Sequence, residues 1–169
     1  MPWSPSGCKE MTDKECADFL FTYMHNIQET IQNKKIYKDT LKYIGGSIMI
    51  ESEFRFISED AKEICKKNQI KPVPTKDYDE LGLRIEHTIP ISLIADYLLK
   101  LPKEKITVKK KNDVVKAIRG TSLITKAEDN LLNKSKLRSK LPKGMTIDML
   151  LGDNPTITFD IRYKSVGIK

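Results

Sequence analysis

The sequence predicts an α+β fold with a helical N-terminal region, a strand, strand, helix unit and a C-terminal strand. Three observations carry this. Apolar residues recur at three- and four-residue spacing from Cys16 to Ile31, behind the capping-box pattern Thr12-Asp13-Lys14-Glu15. Two short extended segments, one beginning at Leu83 and one over Thr121 to Thr125, bracket a polar-apolar stretch, and the second runs directly into a helical pattern. Near the end of the chain, Ile157, Phe159, Ile161 and Tyr163 alternate with Thr156, Thr158, Asp160 and Arg162, the signature of a half-buried strand.

Taken in order, the elements begin with a long amphipathic helix from about Asp13 to Asn33, on which His25 falls outside the apolar series. A shorter helix over Ile36 to Ile44 is stopped by Gly45-Gly46. Ile48, Ile50, Phe54 and Phe56 then alternate as extended structure, and Ser58 is placed to cap a helix over Glu59 to Lys67. Lys71-Pro72-Val73-Pro74 breaks regular structure and marks the expected boundary between a mainly helical region, 1–74, and a second region, 75–169. In the second region, Leu83, Ile85 and His87 share one strand face, Arg84 and Glu86 the other, and Pro90 ends the strand. Ile91 to Leu99 reads as a helix closed by Pro102, and Asn112 to Arg119 as another ending at Gly120. Strand Thr121 to Thr125 leads into a helix from Lys126 to about Ser139, before Pro142.

At 169 residues the chain suits one domain with a sizeable core. With 39% hydrophobic and 31% charged residues it reads as globular, and no apolar run approaches the ~20 residues that cross a bilayer, so no membrane partner is expected. The start Met1-Pro2-Trp3-Ser4-Pro5 has no secretory pattern, which makes an intracellular, cytoplasmic location the expectation. Cys8, Cys16 and Cys65 are too few and too scattered for a disulfide framework or a zinc ribbon. A net charge of +7 favours an anionic partner, because Lys and Arg neutralise phosphates and release counterions. The densest basic stretches are Lys103 to Lys111 and Lys134 to Lys140.

One unit concentrates the chemistry. Glu86-His87 at a strand end, answered by Asn130 in a basic helix, supplies an oxygen ligand, a proton acceptor and a second oxygen ligand. A phosphodiester resists attack because its anionic oxygens repel the nucleophile; a hard divalent ion held by one or two protein oxygens relieves that repulsion. A histidine of ordinary pKa near 6.5, mostly neutral at cellular pH, can take the proton of the attacking water. Adjacent residues on a strand point apart, so Glu86 and His87 converge only where the strand ends, bends or bulges.

Glu86-His87-Thr88-Ile89-Pro90 and Ile124-Thr125-Lys126-Ala127-Glu128-Asp129-Asn130 together resemble the HNH, or ββα-metal, endonucleases. The second segment is similar, position by position, to the Leu-Thr-Arg-Ser-Asp-Lys-Asn stretch in the HNH domain of CRISPR effector nucleases. The resemblance spans residues 83–140. It implies a ββα-metal nuclease module in 75–169, with an insertion over about 91–120 that is a source of DNA contacts. It further implies hydrolysis of DNA phosphodiester bonds to 5′-phosphate and 3′-hydroxyl ends, with Mg²⁺ or Mn²⁺ held by Glu86 and Asn130 and with His87 as general base. Thr121 or Ser122 stands where the family has a residue that orients the histidine, and Asn133 is the fallback ligand one helical turn on. Glu86 replaces the commoner Asp. The scattered cysteines leave out the zinc site that braces many members.

Lys126, Asn133, Lys134, Lys136 and Arg138 are the expected phosphate contacts. Restriction-type cleavage of both strands would call for a two-fold homodimer, whereas nicking suits a monomer. Glu128 and Asp129 are candidates for further metal ligands, although carboxylates in the first turns of a helix are ordinarily there for its dipole. The competing expectation is a non-catalytic basic nucleic-acid-binding protein in which Glu86-His87 is incidental.

Overall fold

The computed structural model describes residues 53–74 and 77–169, together with residues 18, 21 and 22. The expected helix over 36–44, Ile48 and Ile50, His25, Cys8, Cys16 and all but those three residues of the helix expected over 13–33 lie outside the described residues. The three are helical, and Phe21 is buried.

Strand β1 (Phe56–Ile57) is followed by helix α1 (Glu59–Lys67). The Ser58 hydroxyl accepts from the Ala61 amide at 3.2 Å, acidic residues fill the first turn of α1 and lysines the last, so the dipole is matched at both ends. Strand β2 (Leu83–His87) leads into helices α2 (Ile91–Lys100) and α3 (Val108–Arg119). Helix α3 starts one turn earlier than its apolar pattern suggests, because Thr107 caps it by accepting from the Lys110 amide. Strand β3 (Thr121–Thr125) and helix α4 (Lys126–Lys134) follow without a break, then the short helices α5 (Asp148–Leu151) and α6 (Ile161–Lys164).

Among the described residues the strands form a three-stranded sheet in the order β1-β3-β2, with β1 parallel and β2 antiparallel to β3. Central β3 is buried at every position. On one face of the sheet Leu83, Ile85 and Leu123 pack against Ala61 and Cys65 of α1 and against Tyr78. On the other, Ile124 packs with Leu132 of α4, Tyr163, Ile168 and Phe56, whose ring stacks on Tyr163 at 4.6 Å. A third core joins Phe21, α2, α3 and α5. Helices α2 and α3 occupy the stretch between β2 and β3 and share this third core with Phe21 and α5. Strand β1 is part of the same sheet as the later strands and α1 packs against that sheet, so described residues on both sides of position 74 share one core.

Two expectations are corrected. The C-terminal strand is absent among the described residues: 161–164 is helical, and the alternation was misleading because Arg162, counted as outward, is only 1% exposed. Asp160 accepts from the Thr158 hydroxyl at 2.5 Å, closing a turn rather than extending a strand. Helix α4 ends at Lys134, not near Ser139. Lys136 adopts φ 59°, and the Lys136 and Leu137 amides bond back to the Asn133 and Leu132 carbonyls at 3.0 and 2.8 Å, a Schellman closure. Among the described residues, no helix is long and apolar enough to cross a membrane.

Candidate functional site

Strand β2 is an edge strand of the described sheet, so a concavity wrapped around its edge can reach side chains from both of its faces. Such a pocket, of about 550 Å³, is lined by Arg84, Ile85, Glu86, His87, Pro90, Ile91, Ser92, Asp129, Arg138 and Ser139. Glu86 and His87 therefore meet without a bulge in the strand: the ladder runs on through Thr88, whose amide donates to the Gly120 carbonyl at 3.0 Å.

His87 is held through Nδ1, 3.1 Å from the Ile118 carbonyl oxygen. A carbonyl only accepts, so Nδ1 carries the proton and the neutral ring keeps its lone pair on Nε2. Burial holds the His87 pKa below its ordinary 6.5, outweighing the opposing effect of this bond, and the Arg162 charge pushes the same way. The residues expected to orient the ring do not. Thr121 pairs with His87 across the ladder, but its buried hydroxyl oxygen has no hydrogen-bond partner; Ser122 Oγ is instead 2.7 Å from Thr88 Oγ1. The group that holds the ring is a backbone carbonyl near the end of α3, which no side-chain pattern encodes.

Glu86 Oε1 accepts from Arg162 Nη2 at 3.0 Å and from Tyr163 Oη at 2.8 Å. Both bonds fall on one oxygen, leaving Oε2 as the one for a further partner. Burial raises the Glu86 pKa despite these two partners, and the nearby Asp129 charge adds to the rise. Burial likewise pushes the Tyr163 hydroxyl well above its usual range, so it stays a donor. Arg162 also donates to the carbonyls of His87, Thr88, Leu137 and Arg138, between 2.9 and 3.2 Å. It ties the Glu86-His87 strand end to the basic segment after α4. The strand-like alternation concealed Arg162 and Tyr163 as members of the site.

The start of α4 is fixed by Glu128. Its Oε2 accepts from the Thr125 amide at 2.7 Å, from the Thr125 hydroxyl at 3.0 Å and from the Ser58 hydroxyl at 2.7 Å, while the Thr125 hydroxyl accepts from the Glu128 amide. This completes a capping box and ties α4 to α1. Glu128 is thereby used as structure.

The next two residues divide, and it is the candidate carboxylate rather than the expected amide ligand that faces the pocket. Asn130 is exposed and lies outside the lining of the pocket, as does exposed Asn133, whereas Asp129 is buried and lines it. Arg138 Nε and Arg84 Nε stand 3.6 and 3.9 Å from the Asp129 carboxylate. These approaches are ionic only, and buried Oδ1 of Asp129 has no hydrogen-bond donor. Of the expected phosphate contacts, Arg138 is in the pocket wall, Lys134 and Lys136 are exposed, and Lys126 Nζ is paired with the Asp79 carboxylate at 3.0 Å.

A larger hollow of about 970 Å³ lies among α2, the start of α3 and the segments around α5, and contains none of the site residues expected from the sequence. Its buried Lys110 is already engaged by the Leu151 carbonyl at 2.7 Å and the Asp153 carboxylate at 3.0 Å, so size alone does not make it the site.

Among the described residues, no group of three or more His, Cys, Asp or Glu side chains stands ready to hold a metal ion. Two carboxylates nevertheless face one pocket, and one of them has a buried oxygen without a donor, which suits a hard ion that keeps most of its waters. No family model matches the chain, and neither a curated protein nor a solved structure matches it.

Proposed function

We propose that the chain is a metal-dependent, HNH-type endonuclease hydrolysing DNA phosphodiester bonds, with His87 as general base. The observation that carries this reading is the fixed, neutral imidazole: Nδ1 is committed to the Ile118 carbonyl, and the ring lines a pocket with two carboxylates and two guanidinium groups. An Nε2 lone pair in that setting accepts the proton of a water that attacks phosphorus, while the P–O bond to the 3′-oxygen breaks. Arg84 and Arg138, 45% and 56% exposed, present positive charge to the substrate phosphate at the pocket rim. Arg162 and Tyr163 fix one oxygen of Glu86 and so aim its carboxylate.

Mg²⁺ or Mn²⁺ would be held by Glu86 with a second oxygen from the start of α4, and would supply positive charge to offset the negative charge of the phosphate as the bond breaks. Lys134, Lys136 and Arg138 contact backbone phosphates and carry no sequence information.

A supercoiled-plasmid assay with Mg²⁺ or Mn²⁺ tests this, comparing the wild type with His87→Ala. Metal-dependent nicking that the variant loses is the expected result. Salt-sensitive DNA binding by the wild type without any cleavage would replace the nuclease with a non-catalytic binding protein.

A further inference from the structure

We infer that the second protein oxygen for the divalent ion comes from Asp129 rather than Asn130, so that the ion sits between two carboxylates, Glu86 and Asp129. This rests on the nuclease reading and sharpens its metal site.

Helical geometry separates the two candidates. Successive residues of a helix are about 100° apart; Thr125, Asp129 and Leu132 share the buried side of α4, while Asn130, Asn133 and Lys134 are exposed. Asp129 lines the pocket with Glu86 and His87. For Asn130 to do so, α4 would have to rotate by that same angle. It cannot do this without breaking the Thr125–Glu128 capping box and removing Leu132, 0% exposed, from its core.

A second observation points to a ligand. The Asp129 side chain is 10% exposed, and its Oδ1 is buried without a hydrogen-bond donor. A buried carboxylate oxygen ordinarily finds donors; here the nearest cation, Arg138 Nε, is at 3.6 Å, beyond hydrogen-bond range. Meanwhile Glu86 and Asp129 face the same hollow and repel each other, and a cation between them removes that repulsion. Two carboxylate oxygens completed by water match what Mg²⁺ and Mn²⁺ accept.

The test is Mn²⁺ binding to the full chain without DNA, followed by isothermal titration and by the loss of the free Mn²⁺ resonance signal. Asp129→Asn keeps the shape of the side chain and is expected to weaken binding at least tenfold, as is Glu86→Gln. Asn130→Ala, an exposed substitution that leaves the core intact, is expected to stay within twofold of the wild type. Tenfold loss in Asn130→Ala overturns the assignment, and this variant decides the point even if Asp129→Asn fails to fold. Unchanged binding in a folded Asp129→Asn also overturns it. Plasmid cleavage separates this from the parent reading: Mn²⁺ binding that depends on Asp129 but brings no cleavage supports the site while removing the nuclease, whereas cleavage that depends on Asn130 does the reverse.

Discussion

The imidazole of His87 hangs from the carbonyl of Ile118, the penultimate residue of α3, at 3.1 Å. The last four carbonyls of a helix have no partner inside it, and one of these unspent acceptors sets the tautomer of the proposed general base. Burial disfavours the charged ring, so His87 should titrate below 6.5. The acid limb of a pH–rate profile for plasmid nicking is therefore expected to have its midpoint below pH 6.5. The same shift contributes stability that is present above 6.5 and lost as pH falls through the lowered pKa, because the unfolded chain takes up the proton first. His87→Ala should lower the cleavage rate by about 10²- to 10⁴-fold and remove this contribution to acid sensitivity. Urea melts at several pH values beside the nicking assay read both, and a midpoint above 6.5 would contradict the buried neutral ring.

Arg162 is 1% exposed and spends its guanidinium on Glu86, Tyr163 and the carbonyls of His87, Thr88, Leu137 and Arg138. Truncation to Ala leaves Glu86 desolvated beside Asp129 and several buried carbonyls without donors. The expected cost is about 3–5 kcal/mol in urea denaturation. Arg162→Lys should recover little of it, since one ammonium nitrogen cannot reach acceptors spread around a planar fork. The direction at Glu86 follows as well. Its raised pKa is a stability contribution present below the ordinary carboxyl pKa and lost as pH rises through the raised one. Removing Arg162 raises that pKa further, so the variant should be relatively more stable at acid than at neutral pH.

Much of the skeleton was legible because its signals are local. Ser58 before Glu59, the segment Thr121 to Thr125 with β-branched residues at 121, 124 and 125, and Pro102 and Gly120 each mark elements by short-range chemistry. Four things were missed. The end of α4 carries no glycine, so its left-handed residue, Lys136, looked like one more helical lysine. The 157–163 alternation mimicked a strand because Arg162 is buried by ion pairing, which hydropathy counts as exposure. The divergence of Asp129 and Asn130 was within reach, since Leu132 lies three residues after Asp129 and marks the inward face. Matching the motif to a known nuclease segment favoured the amide over the periodicity. The Ile118 carbonyl lay beyond any such reading, because a backbone acceptor has no letter.

Glu128 couples three elements through a single carboxylate oxygen: the end of β3, the first turn of α4 and the cap of α1. Glu128→Ala should cost about 2 kcal/mol, the range for hydrogen bonds to a charged acceptor. It should also loosen the helix start that places Asp129. Glu128→Gln keeps a side-chain oxygen within reach and should cost less. Thermal melts of the two variants check the order, and equal losses would mean that the carboxylate's charge, not its role as acceptor, holds the junction.

Lys136 carries the stability cost of its own position. Its φ of 59° crowds the Cβ of any L-residue against the backbone, yet the closure it makes positions Leu137 in the core under α4 and brings the Leu137 and Arg138 carbonyls to Arg162. Glycine removes the clash, so Lys136→Gly should stabilise the fold by about 1 kcal/mol, read as a higher urea midpoint at unchanged slope. The same substitution deletes an exposed lysine proposed to contact phosphate. Binding to an inert DNA duplex should therefore weaken, and the slope of log affinity against log salt should become shallower by about 0.9, the release from one phosphate contact. The two readouts move in opposite directions: a more stable protein that holds DNA less well. A stabilised variant with an unchanged salt slope would take Lys136 off the nucleic-acid path while leaving the helix closure as described.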